Sequence, residues 1–348
     1  MATRLLFSKP QTVAYEQADL ADPGPGQATA RSVLSGISHG TELTGFLGKS
    51  PFVDRTLTPE RTFRDRTPDD APFFPFYWAG YDLVGVVEKV GQDVSGLKPG
   101  DRVWSGIPHQ TEFLFNATDG SAVRLPDSVP TEEAIVLNLV SIGYNAVLDA
   151  EIKLGDVVVV SGGGLLGQVI VQMAYLSGAR QVYLLEPIRE RREFAAGRSS
   201  VICLDPSTCS PAAEVARDNG ALPDVVIECS GSVKGLAGAI RVAGVAGRVV
   251  AAGFYAGSAA ALELGEEFLH NRVSVRASMS VWDCPARFAP RWSRERLVQE
   301  SVGLLARRKL DLGGVISARY PFEQAQEAYE AIRDHPERYL KVVLEYPG

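Results

Sequence analysis

The stretch VVVVSGGGLLGQVIVQMA sets Gly162, Gly164 and Gly167 in G-x-G-x-x-G spacing, after a run of valines and at the mouth of a segment with helical periodicity. Residues without a Cβ are needed where backbone turns tightly and approaches a pyrophosphate, and Gly167 lets helix and strand pack closely. Leu165 and Leu166 open that helix, whose N-terminus favours an anion held by the turn. Glu186 ends the next predicted strand, QVYLLE, 19 residues after Gly167. A carboxylate there accepts hydrogen bonds from the adenine-ribose hydroxyls and repels a 2′-phosphate, which predicts NAD over NADP as cofactor. Arg189, Arg191 and Arg192 in EPIRERRE read as a solvated helix face, or as a group from which one side chain recruits a phosphate; Arg191 counts as a candidate cofactor contact.

These groups act together only if a strand, a turn, a helix and a second strand hold them in order. From about residue 139 the sequence supplies that alternation, with DVVVVSG, QVYLLE, DVVIECSG and GRVVAAGF as strands and GLLGQVIVQMAYLSGA as a helix. This is the pattern of a parallel sheet covered on both faces. Leu166, Val169, Ile170, Met173 and Leu176 form a stripe expected to face the core. Gly253 and Phe254 end a late strand, the edge at which open parallel sheets bind ligands. The first hundred or so residues read instead as short strands between turns. KSPFVDRTLTPERTFRDRTPDDAPFFPFYW interrupts them without a period of either kind. Such a segment is a substrate wall or lid, or else a solvated insertion, and Phe73, Phe74, Phe76, Tyr77 and Trp78 favour the wall. SRERLVQESVGLLARRKL and FEQAQEAYEAI read as helices, and YLKVVLEY as a closing strand returning to the first domain.

A chain of 348 residues, 45% hydrophobic, exceeds one typical domain and predicts two cores. The net charge of -7 and the lack of Lys/Arg blocks argue against nucleic acid or an anionic membrane as partner, leaving a small molecule. The first residues do not resemble a signal peptide and no apolar run approaches a membrane span, so a soluble, cytoplasmic protein is expected. Cys203, Cys209, Cys229 and Cys284 show neither CxxC pairs nor a disulfide framework.

With SGISHGTEL, AGYDLVGVVEKVGQDVSGLKPGDRV, NLVSIGYNAV, EIKLGDVVVVSGGGLLG and YLKVVLEY in this order, nearly the whole chain resembles the medium-chain dehydrogenase/reductase superfamily, nearest the branch that includes bacteriochlorophyllide dehydrogenases. The resemblance implies an α/β fold: a Rossmann doubly wound parallel sheet over 139–292, and a β-rich GroES-like catalytic domain over 1–138 and 293–348. It also implies a homo-oligomer, dimer or tetramer. In zinc-dependent members these frames carry metal ligands where this chain has Ser38, Tyr81 and Asn138, with Glu42 and Asp82 in the places of neighbouring carboxylates. Ser, Tyr and Asn are poor zinc donors at neutral pH, and the four-cysteine structural lobe is missing, so no metal is expected.

Without a Lewis acid, an alkoxide developing during hydride transfer needs hydrogen-bond donors, each supplying roughly 3 to 4 kcal/mol in a dry site. The resemblance gathers Ser38, Thr41, Tyr81 and Asn138 around the vacated position. Tyr81 is the first choice for acid/base chemistry if a neighbour, His39 for example, lowers its pKa; otherwise it is a core aromatic filling the space. His39 reads as a contact to the cofactor pyrophosphate, as a proton relay, or as plain surface. Thr41 reads as a relay to the ribose or as a cap, and Phe254 as a wall of the nicotinamide pocket or as packing. His109 reads mainly as structural, and nothing is assigned to His270 or His335. The leading expectation is a zinc-independent NAD-dependent oxidoreductase acting on a secondary alcohol or ketone of a cyclic or polyol-like substrate. An ene-reductase of conjugated carbonyl compounds and a catalytically silent dinucleotide-binding protein are the alternatives.

Overall fold

A computed structural model of the chain describes residues 1–260, 262–280 and 291–347; Cys284 lies outside them. The chain divides into two compact units, 1–138 with 313–348, and 139–312. Helix Arg294–Ala306 thus belongs with the second unit, whereas the sequence reading began the return at residue 293.

The second unit holds six strands in the order Ile202–Leu204, Gln181–Leu185, Val157–Ser161, Val225–Glu228, Arg248–Ala251 and Ser274–Ala277. Every neighbouring pair is parallel. Strand Val157–Ser161 is buried along its whole length, as a strand covered on both faces requires. Its consecutive valines suit that place because branched side chains pack well on a pleated surface. Helix Leu165–Leu176 follows and buries Val169, Ile170 and Met173. Leu176, expected in the same stripe, is 51% exposed because it is the last residue of the helix.

The first unit is built on a seven-stranded sheet. Its central strand Gln27–Ile37 pairs antiparallel with Leu83–Val90, with Glu112–Asn116 and with the returning strand Lys341–Glu345. The interrupting segment is more structured than its sequence suggests. Arg55–Leu57 pairs with Phe63–Asp65, and Phe74 and Phe76 pack on the core around Phe7, Phe46 and Tyr329. Aromatic burial, rather than backbone periodicity, holds this segment, while Tyr77 and Trp78 stay 47% and 69% exposed.

Candidate active site

In the second unit the first glycine of the turn, Gly162, has φ +101°, a conformation that favours a residue without Cβ. A Cβ on Gly167 would lie 1.9 Å from the Gly162 carbonyl oxygen, so turn and helix meet only with glycine there. Gly164 caps the helix and faces open space, which leaves room for a ligand against the backbone. Glu186 is 3% exposed; its Oε2 accepts from Gly163 N–H at 2.6 Å and its Oε1 from Ile188 N–H at 2.8 Å. Arg191 lies 3.9 Å from the same carboxylate. A cavity of about 670 Å³ opens beside them, and Gly162, Glu186 and Arg191 line it together with Ser207, Ser210 and Ser230. Gly164, Leu165, Leu166, Gly167, Gly253 and Phe254 are not in its lining; Leu165 is buried, and Gly253 N–H donates to the Glu228 carbonyl at 3.2 Å. The glycine turn, the helix terminus and the fixed carboxylate beside a cavity fit a dinucleotide.

In the first unit the sheet register creates the second group. Ser35 pairs with Leu83 and Gly36 N–H donates to the Asp82 carbonyl, so the ends of two antiparallel strands set Ser38 beside Tyr81. Tyr81 O–H donates to Ser38 Oγ in a short hydrogen bond. Burial pushes the phenol pKa well above its ordinary range; the charges of Glu42 and Asp82 push it the same way, and the hydroxyls of Ser38 and Thr41 pull against them. The condition set for acid/base chemistry at Tyr81, a lowered pKa, is not met: desolvation and two nearby carboxylates outweigh the hydroxyls, and Tyr81 stays a neutral phenol. Thr41, exposed at the start of helix Thr41–Phe46, and His39, half-buried in the turn before it, lie on the same segment as Ser38. Asn138 takes part through its backbone N–H, which donates to Asp82 Oδ1 at 3.1 Å.

Both carboxylates are committed to protein groups. Glu42, 2% exposed, accepts from Ser38 N–H at 3.0 Å through Oε2, and from the Tyr329 hydroxyl through Oε1. His109 Nε2 lies 2.9 Å from Oε1, its ring fully buried, and its Nδ1 lies 2.7 Å from Ser35 Oγ. Asp82 Oδ1 also accepts from Trp104 Nε1 at 3.0 Å, and Oδ2 lies 3.5 Å from Lys341 Nζ. Burial raises the Asp82 pKa to about 6, against the pull of Lys341. His109, read from the sequence mainly as structural, is thus joined to Ser38 through Glu42. Ser35, Tyr329 and Tyr346 complete its surroundings, and no local spacing announced them.

Zinc, which the resemblance implies for frames of this kind, does not fit these donors. Ser38 Oγ is engaged by a neutral phenol, Glu42 and Asp82 Oδ1 already accept from N–H and O–H groups, and Asp82 Oδ2 is paired with the Lys341 ammonium 3.5 Å away. Among the described residues no group of three or more His, Cys, Asp or Glu is placed to hold a metal ion. No helix among them is long and apolar enough to cross a membrane.

Comparison with known proteins adds a further finding. Residues 166–290 match a family described as zinc-binding dehydrogenase, and residues 59–121 match the alcohol dehydrogenase GroES-like domain. The chain is 30% identical over 310 residues to D-guloside 3-dehydrogenase of Shigella flexneri, covering 87% of this chain and 88% of that protein. It is 28% identical over 373 residues to sorbitol dehydrogenase of Homo sapiens, covering 94% and 92%. The fold is similar to that of 2R,3R-butanediol dehydrogenase from Bacillus subtilis, with a TM-score of 0.78 at 18% identity over 100% of both chains.

Proposed function

The chain belongs to the medium-chain dehydrogenase/reductase family, alcohol dehydrogenase-like, and on that premise we propose that it is a zinc-independent, NAD-dependent oxidoreductase acting on a secondary alcohol or ketone of a cyclic or polyol-like substrate. The observation that carries the reading is the hydrogen-bonded Tyr81 and Ser38 pair standing where related frames hold metal ligands. The names of two relatives, a guloside dehydrogenase and a sorbitol dehydrogenase, support a polyhydroxylated substrate. The carboxylate of Glu186, fixed by two backbone amides, supports NAD through like-charge repulsion of a 2′-phosphate.

When bound in the second unit, nicotinamide accepts or supplies the hydride. The residues of the first unit handle the oxygen. Because Tyr81 O–H donates to Ser38 Oγ, the Ser38 proton is left to donate to a substrate oxygen, and the bond it receives polarises it further. Kept a neutral phenol, Tyr81 serves as the donor that orients and polarises Ser38. Thr41, exposed beside the pair, is the outlet to solvent. The Ser38 donor, at roughly 3 to 4 kcal/mol, supplies part of the stabilisation a Lewis acid would give.

The test is a screen of cyclitols, glycosides, linear polyols and simple secondary alcohols with NAD, followed by absorbance of NADH. The reading expects reduction of NAD by at least one polyol. Oxidation of NADH by an enone, with every alcohol inert, would establish an ene-reductase instead. Tight NADH binding without turnover of anything would leave a dinucleotide-binding protein.

A further inference from the structure

We infer that His109 is a positioning residue for the Ser38 and Tyr81 hydroxyls, acting on Ser38 through Glu42 and on Tyr81 through the backbone at Ala79 and Gly80. The inference rests on the functional reading above, in which Ser38, polarised by Tyr81, donates to the substrate oxygen.

The imidazole is held at both nitrogens. With Nε2–H directed at Glu42 Oε1, 2.9 Å away, Nδ1 accepts from Ser35 O–H at 2.7 Å, and the Tyr346 hydroxyl lies 2.8 Å from Ser35 Oγ. A ring satisfied at both ends has one orientation. It fixes the carboxylate whose other oxygen accepts from Ser38 N–H, so the backbone carrying the Ser38 hydroxyl is tied to the ring through a single buried side chain. The second tie runs through the chain before Tyr81. His109 N–H donates to the Ala79 carbonyl at 2.8 Å. The ring lies so close to Gly80 that a Cβ there would approach His109 Cδ2 to 2.7 Å, at a backbone with φ +98°. One imidazole therefore braces both hydroxyl-bearing residues. Burying a carboxylate and an imidazole costs more than apolar packing of the same volume, which a purely structural role would not need. Geometry within about 0.5 Å is what a donor pair aimed at a developing charge does need.

The test uses the whole chain labelled with 3-fluorotyrosine, its Tyr81 fluorine resonance assigned by loss in Tyr81→Phe. Ser35→Ala and Glu42→Gln are made alongside His109→Gln, because the first removes a bond of the ring and the second replaces one accepting oxygen by an N–H donor, both with little change in bulk, if the third fails to fold. The inference expects one sharp Tyr81 resonance in the parent chain and a shifted or broadened one in Ser35→Ala and Glu42→Gln, with melting still cooperative. It also expects kcat with the most active polyol of the screen to fall about ten-fold, while the Kd for NADH stays within about two-fold. Added to Ser38→Ala, each change should cost almost nothing further, since both act on one unit. A Tyr81 resonance unmoved in both variants, or losses that add to that of Ser38→Ala, overturns the inference. If no polyol is turned over, or if Ser38→Ala is silent, the functional reading fails instead, and the fluorine spectra still decide whether His109 braces the pair.

Discussion

Glu186 and Glu42 are both buried carboxylates, one in each unit, and they are satisfied in opposite ways. Glu186 takes its hydrogen bonds from backbone N–H groups of Gly163 and Ile188, and lines an open cavity. Glu42 takes two of its three from the side chains of His109 and Tyr329, contributed from far along the chain, and ends in the hydroxyl pair. A carboxylate held by backbone survives changes of side chain and can present itself to a ligand. One held by distant side chains is part of a network, in which the loss of any member moves the rest. The proposed function places binding on the local construction and chemistry on the long-range one.

The comparison breaks most severely at the hydroxyl pair. Tyr81→Phe keeps the ring and removes the donor, and kcat should fall about 10²- to 10³-fold while NADH affinity is unchanged, checked by steady-state kinetics and fluorescence titration. Next comes the glycine turn: Gly167→Ala sets a methyl against the Gly162 carbonyl, and NADH binding should weaken about 10- to 100-fold. Asp82 offers a test through pH. Its folded pKa near 6 exceeds the ordinary 3.8 of an aspartate, so between those values the folded chain holds a proton that the unfolded chain has lost. Its contribution to stability is therefore greatest below pH about 4, falls as pH rises to about 6, and is flat above; Asp82→Asn should remove a slope of about 2 to 3 kcal/mol across that window in urea titrations. The smallest effect belongs to Glu186→Gln, which keeps the shape and loses the charge. Its Kd for NAD should rise about five- to ten-fold, with discrimination against NADP reduced, measured by titration with both nucleotides.

Legibility in the sequence followed the same division. Gly162, Gly164, Gly167 and Glu186 form a contiguous pattern because backbone turns and parallel strands are local, and the α/β architecture with a parallel sheet could be read from the alternation around them. The Ser38 and Tyr81 pairing needed the resemblance to bring the two together, since antiparallel register is set by contacts 43 residues apart in sequence. His109, read mainly as structural, is fully buried, and the network it joins with Ser35, Tyr329 and Tyr346 is not visible in the sequence, because a buried polar residue has no periodic signature and shows its contacts only through partners from other strands and helices. The raised pKa of Tyr81 is illegible for a related reason. It depends on Glu42 and Asp82 as charges in a dry site, and sequence shows the charges without the burial.

The central claim, that Ser38 and Tyr81 polarise the substrate oxygen with hydroxyl donors and no metal ion, is tested most directly by turnover of the most active polyol before and after exhaustive chelation, with metal content measured on the same samples. The account predicts undiminished kcat in metal-free protein. Zinc bound at one equivalent per chain, whose removal abolishes turnover and whose return restores it, would contradict the account.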